Sequence, residues 1–147
     1  MASKLRELLG AGGGGGAGGD RPDPYGGVEW WQGPFERSGW LQKQGELLPN
    51  WRRRFFVIKQ GKIFWFKKPE QGQAERPRGC IDVRRCLSIK GAEDAINKAH
   101  AFELSTAEST MYFVADSDKE KEEWINAVGK AIVRSSHALA DAEFTDY

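Results

Sequence analysis

The chain has 147 residues, 39% hydrophobic and 12% aromatic, which is enough for one compact domain with tails and a real hydrophobic core. Its formal net charge of +1 argues against a protein that coats nucleic acid through a general excess of basic residues. No run is apolar and long enough to cross a membrane, and residues 1–10 lack the apolar centre of a secretory signal, so membrane contact is expected to be peripheral.

Residues 1–27 are expected to form a flexible segment because glycine dominates their composition. The run at 10–19 is nearly all glycine, and such a run has no preferred structure. Gly14, Gly16 and Gly19 formally satisfy the GxGxxG pattern of dinucleotide-binding loops. That pattern needs a strand before it and a helix after it, and neither is predicted here, so we assign no nucleotide site to this run.

An aromatic stretch follows at 28–37, just before the first predicted strand. Its apolar residues are Val28, Trp30, Trp31 and Phe35. The simpler interpretation is an N-terminal strap that packs against the outside of the domain. The alternative is a binding patch for a protein partner around Trp30 and Trp31. The domain itself is expected at 38–135, with a short mobile tail at 136–147.

From Ser38 onward, short β-prone runs alternate with turn signals, and seven strands are predicted. They lie at 39–45, 51–59, 62–67, 78–83, 86–90, 100–105 and 110–115. Gln60 and Gly61 predict a tight hairpin between the second and third strands, while 69–77 and 90–99 are expected to be polar loops. Seven short strands joined mostly by tight turns indicate a mainly β protein, an antiparallel barrel or sandwich.

The last predicted element is a helix over residues 118–134. Ser117 and Glu120 fit a capping box, in which each side chain accepts a hydrogen bond from a free backbone N–H group. The apolar residues of one face recur at helical spacing: Trp124, Val128, Ala131 and Ile132. We therefore expect the helix to close one open end of the barrel, with Trp124 as its main anchor.

No motif in the sequence predicts an enzyme, a metal site or a bound cofactor. The nucleophile-elbow, Walker A, zinc-protease and kinase patterns are all missing. His100 and His137 are isolated from each other and from other candidate ligands. Cys80 and Cys86 lack metal-ligand spacing, so both are expected to be reduced thiols in a cytoplasmic protein.

Positive charge is concentrated in the first predicted strands. Residues 43–68 contain eight basic side chains and one acidic side chain. Strand side chains alternate between two faces, so Arg52 and Arg54 share the face of Phe56. Arg53 is expected on the opposite face. A row that changes from cationic to apolar suits an open-ended barrel whose mouth binds an anion.

Five short motifs occur in a fixed order along the chain. They are Gly39-Trp40-Leu41-x-Lys43-x-Gly45, Trp51-Arg52-Arg53-Arg54-Phe55-Phe56-Val57-Ile58, Pro77-Arg78-Gly79-x-Ile81, Phe102-Glu103-Leu104 and Glu122-Glu123-Trp124-Ile125. With these motifs the chain resembles the pleckstrin homology (PH) domain family over about residues 36–135, and in particular the small single-domain PH proteins of plants. The resemblance implies a PH-like fold, seven antiparallel strands capped by one C-terminal helix, and a non-catalytic module.

The resemblance also implies a phosphoinositide site. The family motif is a lysine, a variable loop and then Lys/Arg-x-Arg, and it matches Lys43, Arg52 and Arg54. Arg78 matches a family position that often contacts the inositol phosphates. Converging cations can make charge-assisted hydrogen bonds to phosphate, and arginine offers a two-pronged donor.

Membrane contacts are expected beside this site. Lys67 and Lys68 would add attraction to an anionic leaflet, worth ~1 kcal/mol per basic residue near the surface. Leu47 and Leu48, at the tip of the first loop, either dip into the bilayer or take part in ordinary packing, and the sequence favours neither.

Three departures from strongly specific members of the family bear on the headgroup. Trp65 stands where those members often have a tyrosine whose hydroxyl reaches a phosphate, and Leu47 and Pro49 stand at loop positions that are often basic. Fewer donors favour a headgroup with fewer phosphates, such as phosphatidylinositol 3-phosphate or another 3-phosphoinositide.

The sequence therefore predicts a monomeric phosphoinositide-binding module that is recruited reversibly to the cytosolic face of the plasma membrane or of endosomes. The main alternative is a protein-interaction adaptor of PH-like fold with little or no lipid specificity. Nucleic-acid binding through residues 51–54 is disfavoured because no aromatic stacking platform recurs across adjacent strands.

Overall fold

The computed structural model describes residues 25–30, 33–45, 50–69 and 76–144, with the backbone alone for 137–144. The elements in chain order are β1 (Arg37–Gln44), β2 (Trp51–Lys59), β3 (Lys62–Phe66), β4 (Gly79–Asp82), a 3₁₀ helix (Val83–Arg85), β5 (Cys86–Gly91), α1 (Glu93–Ile96), β6 (Ala101–Thr106), β7 (Thr110–Val114) and α2 (Asp118–Phe144). The seven strands form one antiparallel sheet in the order β4-β3-β2-β1-β7-β6-β5. The predicted mainly β class, with its C-terminal helix, is confirmed.

Turn chemistry explains why the strands begin and end where they do. Gln60 and Gly61 both have positive φ, 48° and 74°, as the tight turn between β2 and β3 requires. Two short elements were not predicted. α1 lies inside the stretch expected to be a polar loop, and the 3₁₀ helix forms because the Asp82 carboxylate accepts a hydrogen bond from the Arg84 backbone N–H at 2.9 Å.

The C-terminal helix is longer than predicted. It begins at Asp118, where Ser117 Oγ accepts a hydrogen bond from the Glu120 backbone N–H at 3.1 Å, so the predicted serine cap is present. Glu120 Oε2 is buried without a hydrogen-bond partner. The helix continues to Phe144 because no glycine or proline follows Gly129 and alanine, the best helix former, recurs in the last turns. Most of the expected tail at 136–147 is therefore helical.

The main core lies between the inward face of the sheet and α2. Trp124 is 2% exposed, and its ring contacts Phe56 edge-on with centroids 6.4 Å apart. Phe56 also contacts Phe113 of β7 and Trp65 of β3, with centroid distances of 5.5 and 5.7 Å. Phe56 thus contacts β3, β7 and the helix. Trp124 is the helix residue in that contact, which is the anchoring position predicted for it.

A second apolar cluster covers the outer face of β2 and β3. Tyr25 and Val28 are buried there against Val57, Phe64 and Phe66, with Trp30 packed alongside. Tyr25 contacts Trp30 and Phe64 edge-on, with centroids 4.8 and 5.7 Å apart. Lys59 Nζ donates to the Glu29 carbonyl at 2.6 Å. The segment thus packs as a strap would, and it begins at Tyr25, inside the stretch expected to be flexible. Trp31 lies outside the described residues.

Candidate anion-binding site

The register of β1 and β2 brings three of the predicted cations to one face. Lys43 pairs with Arg52, and two residues further along the ladder Leu41 pairs with Arg54. Residues directly opposite in an antiparallel pair point the same way, so these side chains share the core-facing side. Arg52 is exposed, Arg54 is half-buried and Phe56 is 1% exposed. This face therefore changes from cationic at the β1–β2 loop to apolar in the core, as the alternation predicts.

Arg54 lies close enough to Arg52 on this face, and to Arg78 just before β4, to be repelled by both. Burial, together with the positive charges of Arg78 and Arg52, lowers the pKa of the Arg54 guanidinium. None of these three arginines forms an ion pair with a carboxylate of the described residues. Three other arginines each have such a partner: Arg37 with Glu123 at 2.8 Å, Arg53 with Asp116 at 2.9 Å and Arg84 with Asp82 at 2.6 Å. The cluster thus combines positive charge and partial burial with no described acid to balance them.

Arg53 lies on the opposite face of β2, as predicted. Its guanidinium donates two hydrogen bonds to Asp116, at 2.9 and 3.1 Å, and it stacks over the Trp40 ring at 5.2 Å. The hydrogen bonds to Asp116 raise the pKa of Arg53. Arg53 therefore forms an intramolecular ion pair and does not belong to the cation cluster.

Lys43 extends from β1 toward β3 at the end of the sheet nearest the β1–β2 loop, which we call the mouth. Its Nζ lies 5.3 Å from the ring centroid of Trp65, and it donates to the Gln44 carbonyl at 3.4 Å. Trp65 is 7% exposed and pairs with Gly79 in the β3–β4 ladder. From the sequence, Trp65 was notable only for the hydroxyl that it lacks. Gly79 was the available signal, because a glycine within a strand often marks the close approach of another group.

The predicted membrane-contact residues fall in two different regions. Lys67 and Lys68 are exposed directly after β3, and Lys67 falls level with Arg54 if the pairing of Phe55 with Phe66 continues by one residue. Leu47 and Leu48 lie outside the described residues. The base of their loop is described, and there the Gly45 N–H donates to the Asn50 carbonyl at 2.8 Å. Within the described ranges, no helix combines the length and the apolar character needed to span a bilayer.

Comparison with known proteins identifies the family. A family model described as "PH domain" matches residues 35–133. The chain belongs to the PH domain family. It is 52% identical over 127 residues to pleckstrin homology domain-containing protein 1 of Arabidopsis thaliana, with 85% of this chain and 87% of that protein covered. Members of this family are generally non-catalytic modules that commonly bind phosphoinositides or proteins.

Other PH domain proteins are more distant in sequence. Human pleckstrin homology domain-containing family A member 2 is 30% identical over 102 residues, which cover 67% of this chain and 24% of that protein. The C-terminal PH domain of human pleckstrin superposes with a TM-score of 0.59 at 28% identity, covering 73% of this chain and 95% of that one. The same pleckstrin domain has been solved with D-myo-Ins(1,2,3,4,5)P5, and that structure gives a TM-score of 0.55 at 28% identity over 67% of this chain and 98% of that one.

Proposed function

We propose that the protein is a phosphoinositide-binding module whose headgroup site is formed by Lys43, Arg52, Arg54 and Arg78. The observation that carries this proposal is the cluster of Arg52, Arg54 and Arg78, which lie close enough to lower the pKa of Arg54 and pair with no described acid. A bound phosphate would relieve their mutual repulsion and supply a negatively charged partner, which the described residues do not offer to these arginines.

The chemistry of the cluster suits a phosphate monoester. Arg54 is half-buried and Arg52 is exposed, so one guanidinium would meet the phosphate inside the mouth and the other at its rim. Hydrogen bonds between charged partners are about twice as strong as neutral ones, and partial burial reduces their screening by salt. The inositol pentakisphosphate bound by the pleckstrin domain is a ligand of the same chemical class.

The donors available favour a headgroup with few phosphates. Trp65 offers a buried indole instead of a hydroxyl, and four basic side chains are the donors that we assign to the site. We propose that the site favours phosphatidylinositol 3-phosphate or another 3-phosphoinositide. A more highly phosphorylated headgroup would place further phosphates where these side chains offer no matching donor.

Exposed lysines would hold the module against an anionic membrane. Lys67 and Lys68 follow β3 directly and extend the positive surface beyond the proposed headgroup site. Each basic residue near an anionic leaflet adds ~1 kcal/mol of attraction, which salt weakens. The proposed result is reversible recruitment of a monomer to the cytosolic face of the plasma membrane or of endosomes. We further propose that Leu47 and Leu48 enter the bilayer there.

A vesicle-sedimentation panel tests the proposal. Phosphatidylcholine vesicles are doped in turn with mono-, bis- and tris-phosphorylated phosphoinositides, and the bound fraction is measured for wild type and for Arg52→Ala/Arg54→Ala. Each lost hydrogen bond between charged groups contributes about 1.5–3 kcal/mol, so the double variant should bind at least about 100-fold more weakly.

The matched control is Arg53→Ala/Arg84→Ala. It also removes two positive charges from the chain, but both arginines pair with carboxylates outside the proposed site. The control should bind like wild type. Equal binding by wild type and by the Arg52→Ala/Arg54→Ala variant would overturn the headgroup site. Wild type that binds no phosphoinositide vesicle would instead favour the protein-interaction adaptor.

A further inference from the structure

We infer that Trp65 is the positioning residue of this site: its buried indole holds the Lys43 ammonium over the mouth, where it can bind phosphate. The inference deepens the proposed function and rests on it. Lys43 Nζ lies 5.3 Å from the Trp65 ring centroid, within the range of a cation–π contact. Because Lys43 belongs to β1 and Trp65 to β3, the contact spans the intervening strand β2.

The indole can lie there only because residue 79 is glycine. A Cβ atom at position 79 would lie 1.8 Å from Cζ2 of Trp65 and 2.1 Å from its Cε2. The six-membered ring therefore occupies the volume that a side chain on β4 would need. On the neighbouring strand, the Phe56 ring lies 5.7 Å from the Trp65 ring. The ring is thus held between a glycine and an aromatic neighbour and has little freedom to turn.

The same residue is also linked to Arg78. The Arg78 backbone N–H donates to the Trp65 carbonyl at 2.8 Å, directly beside the Gly79 contact. Arg78 in turn lies near enough to Arg54 to help lower its pKa. The backbone of Trp65 thus holds the backbone from which Arg78 extends, while its ring contacts the Lys43 ammonium.

A rigid aromatic surface lowers the entropic cost of using a lysine. A free lysine side chain has many rotamers, and binding a phosphate must select one of them. The Trp65 ring favours a conformation in which the ammonium already points across the mouth. A cation–π contact acts through the charge of the ammonium rather than through one particular hydrogen, so it is compatible with hydrogen bonds from Lys43 to oxygen acceptors.

A double-mutant cycle between positions 43 and 65 tests the inference. Trp65→Leu, Trp65→Phe, Lys43→Met and the two double variants are measured on phosphatidylcholine vesicles carrying phosphatidylinositol 3-phosphate, below the lowest melting temperature of the set. Trp65→Leu should weaken wild-type binding about three- to tenfold and have almost no further effect in the Lys43→Met background. Trp65→Phe should have a smaller effect, because phenylalanine keeps an aromatic face and is the safer variant for folding.

The matched control is Trp40→Leu. Trp40 also lies under a cation, Arg53 at 5.2 Å, but on the opposite face of the sheet. It should lose stability without losing affinity for the vesicles. A second readout needs no lipid: in the NMR spectrum of wild type, the ring current should shift the Lys43 ε-methylene protons upfield, and Trp65→Leu should abolish that shift.

The outcomes separate this inference from the proposed function. Suppose that wild type binds the vesicles and Arg52→Ala/Arg54→Ala does not. If Trp65→Leu then lowers vesicle affinity equally in the wild-type and Lys43→Met backgrounds, the inference is overturned and the proposed function stands. Lack of an upfield shift in wild type also overturns the inference alone. Wild type that binds no phosphoinositide vesicle overturns both. Coupled losses together with the upfield shift support the inference.

Discussion

Lys43 and Arg52 lie directly opposite each other in the β1–β2 ladder, on the face that leads into the core. Like charges placed opposite across two strands destabilise a sheet. Half-buried Arg54 follows on the same face, with Arg78 close to it. This end of the sheet therefore keeps an arrangement that lowers the stability of the unbound protein, and a bound phosphate group would reverse that effect.

The first prediction is that Arg52→Gln stabilises the unbound protein while weakening its binding to phosphoinositide vesicles. Removing one of two opposed charges should raise the melting temperature by about 1–5 °C. The loss of a charged phosphate donor should lower vesicle affinity about tenfold or more. Differential scanning calorimetry and vesicle sedimentation measure the two effects.

Arg53→Gln on the other face provides the comparison for this prediction. It removes the hydrogen bonds to Asp116 and the contact with Trp40, so the melting temperature should fall while binding stays unchanged. If Arg52→Gln lowers the melting temperature as Arg53→Gln does, charge repulsion between Lys43 and Arg52 does not destabilise the unbound protein.

The second prediction concerns the strap on the outer face of the sheet. Tyr25 is 4% exposed and contacts both Trp30 and Phe64. Tyr25→Ala should lower the free energy of unfolding by about 2–4 kcal/mol, measured by chemical denaturation. Phe35→Ala, at an exposed aromatic of the same segment, should change it by less than about 1 kcal/mol. A loss of less than about 1 kcal/mol for Tyr25→Ala would show that its strap contacts add little stability.

The third prediction is a loss of stability in acid that depends on Asp82. Partial burial by itself would raise the pKa of Asp82, but hydrogen bonds from Arg84 and Lys62 outweigh it and hold the pKa well below the usual range. The folded state then binds fewer protons than the unfolded state at this group. Its contribution is complete above the unfolded pKa and should be lost as the pH falls below about 4.

Asp82→Asn isolates this effect. The variant should be less stable than wild type by about 1–3 kcal/mol at neutral pH, because Lys62 loses a charged partner at 2.9 Å. Denaturation curves recorded from neutral pH downward should show the difference shrinking below about pH 4. A difference that stays constant across that range would rule out Asp82 as the source.

The fourth prediction is that neither cysteine reacts quickly with thiol reagents while the protein is folded. Burial raises the pKa of Cys80 to about 12 and that of Cys86 to about 11. The thiolate is the reactive form, so both groups should be almost wholly unreactive near neutral pH. Labelling with a chromogenic disulfide should be slow in buffer and fast in denaturant.

Cys86→Ala separates the two thiols. Its labelling rate reports Cys80 alone, which is half-buried in the outer cluster, whereas Cys86 lies in the main core. The rate for Cys80 should keep rising with pH beyond about 8.5, where a free thiol reaches half ionisation. A rate at neutral pH equal to that of the denatured chain would contradict the raised pKa.

Local patterns were sufficient to predict the fold class. Alternation along β2 placed Arg52 and Arg54 on one face and Arg53 on the other, and the register agrees. Gln60 and Gly61 predicted the β2–β3 turn because few residues accept positive φ. The end of α2 was missed because the predicted apolar face stops at Ile132, while the residues after 134 also favour helix.

The sequence by itself determined the strand order along the chain and the face of each β2 side chain, because period and propensity act over a few neighbouring residues; the candidate cations came from the resemblance to the PH domain family. Only the tertiary structure decided that Lys43 contacts Trp65 and that the Trp65 ring fills the space left by Gly79. Such contacts depend on register across strands and on complementary volumes, which no local pattern encodes. The charges of the proposed site can therefore be named from the sequence, whereas the contact between Lys43 and Trp65 follows from packing.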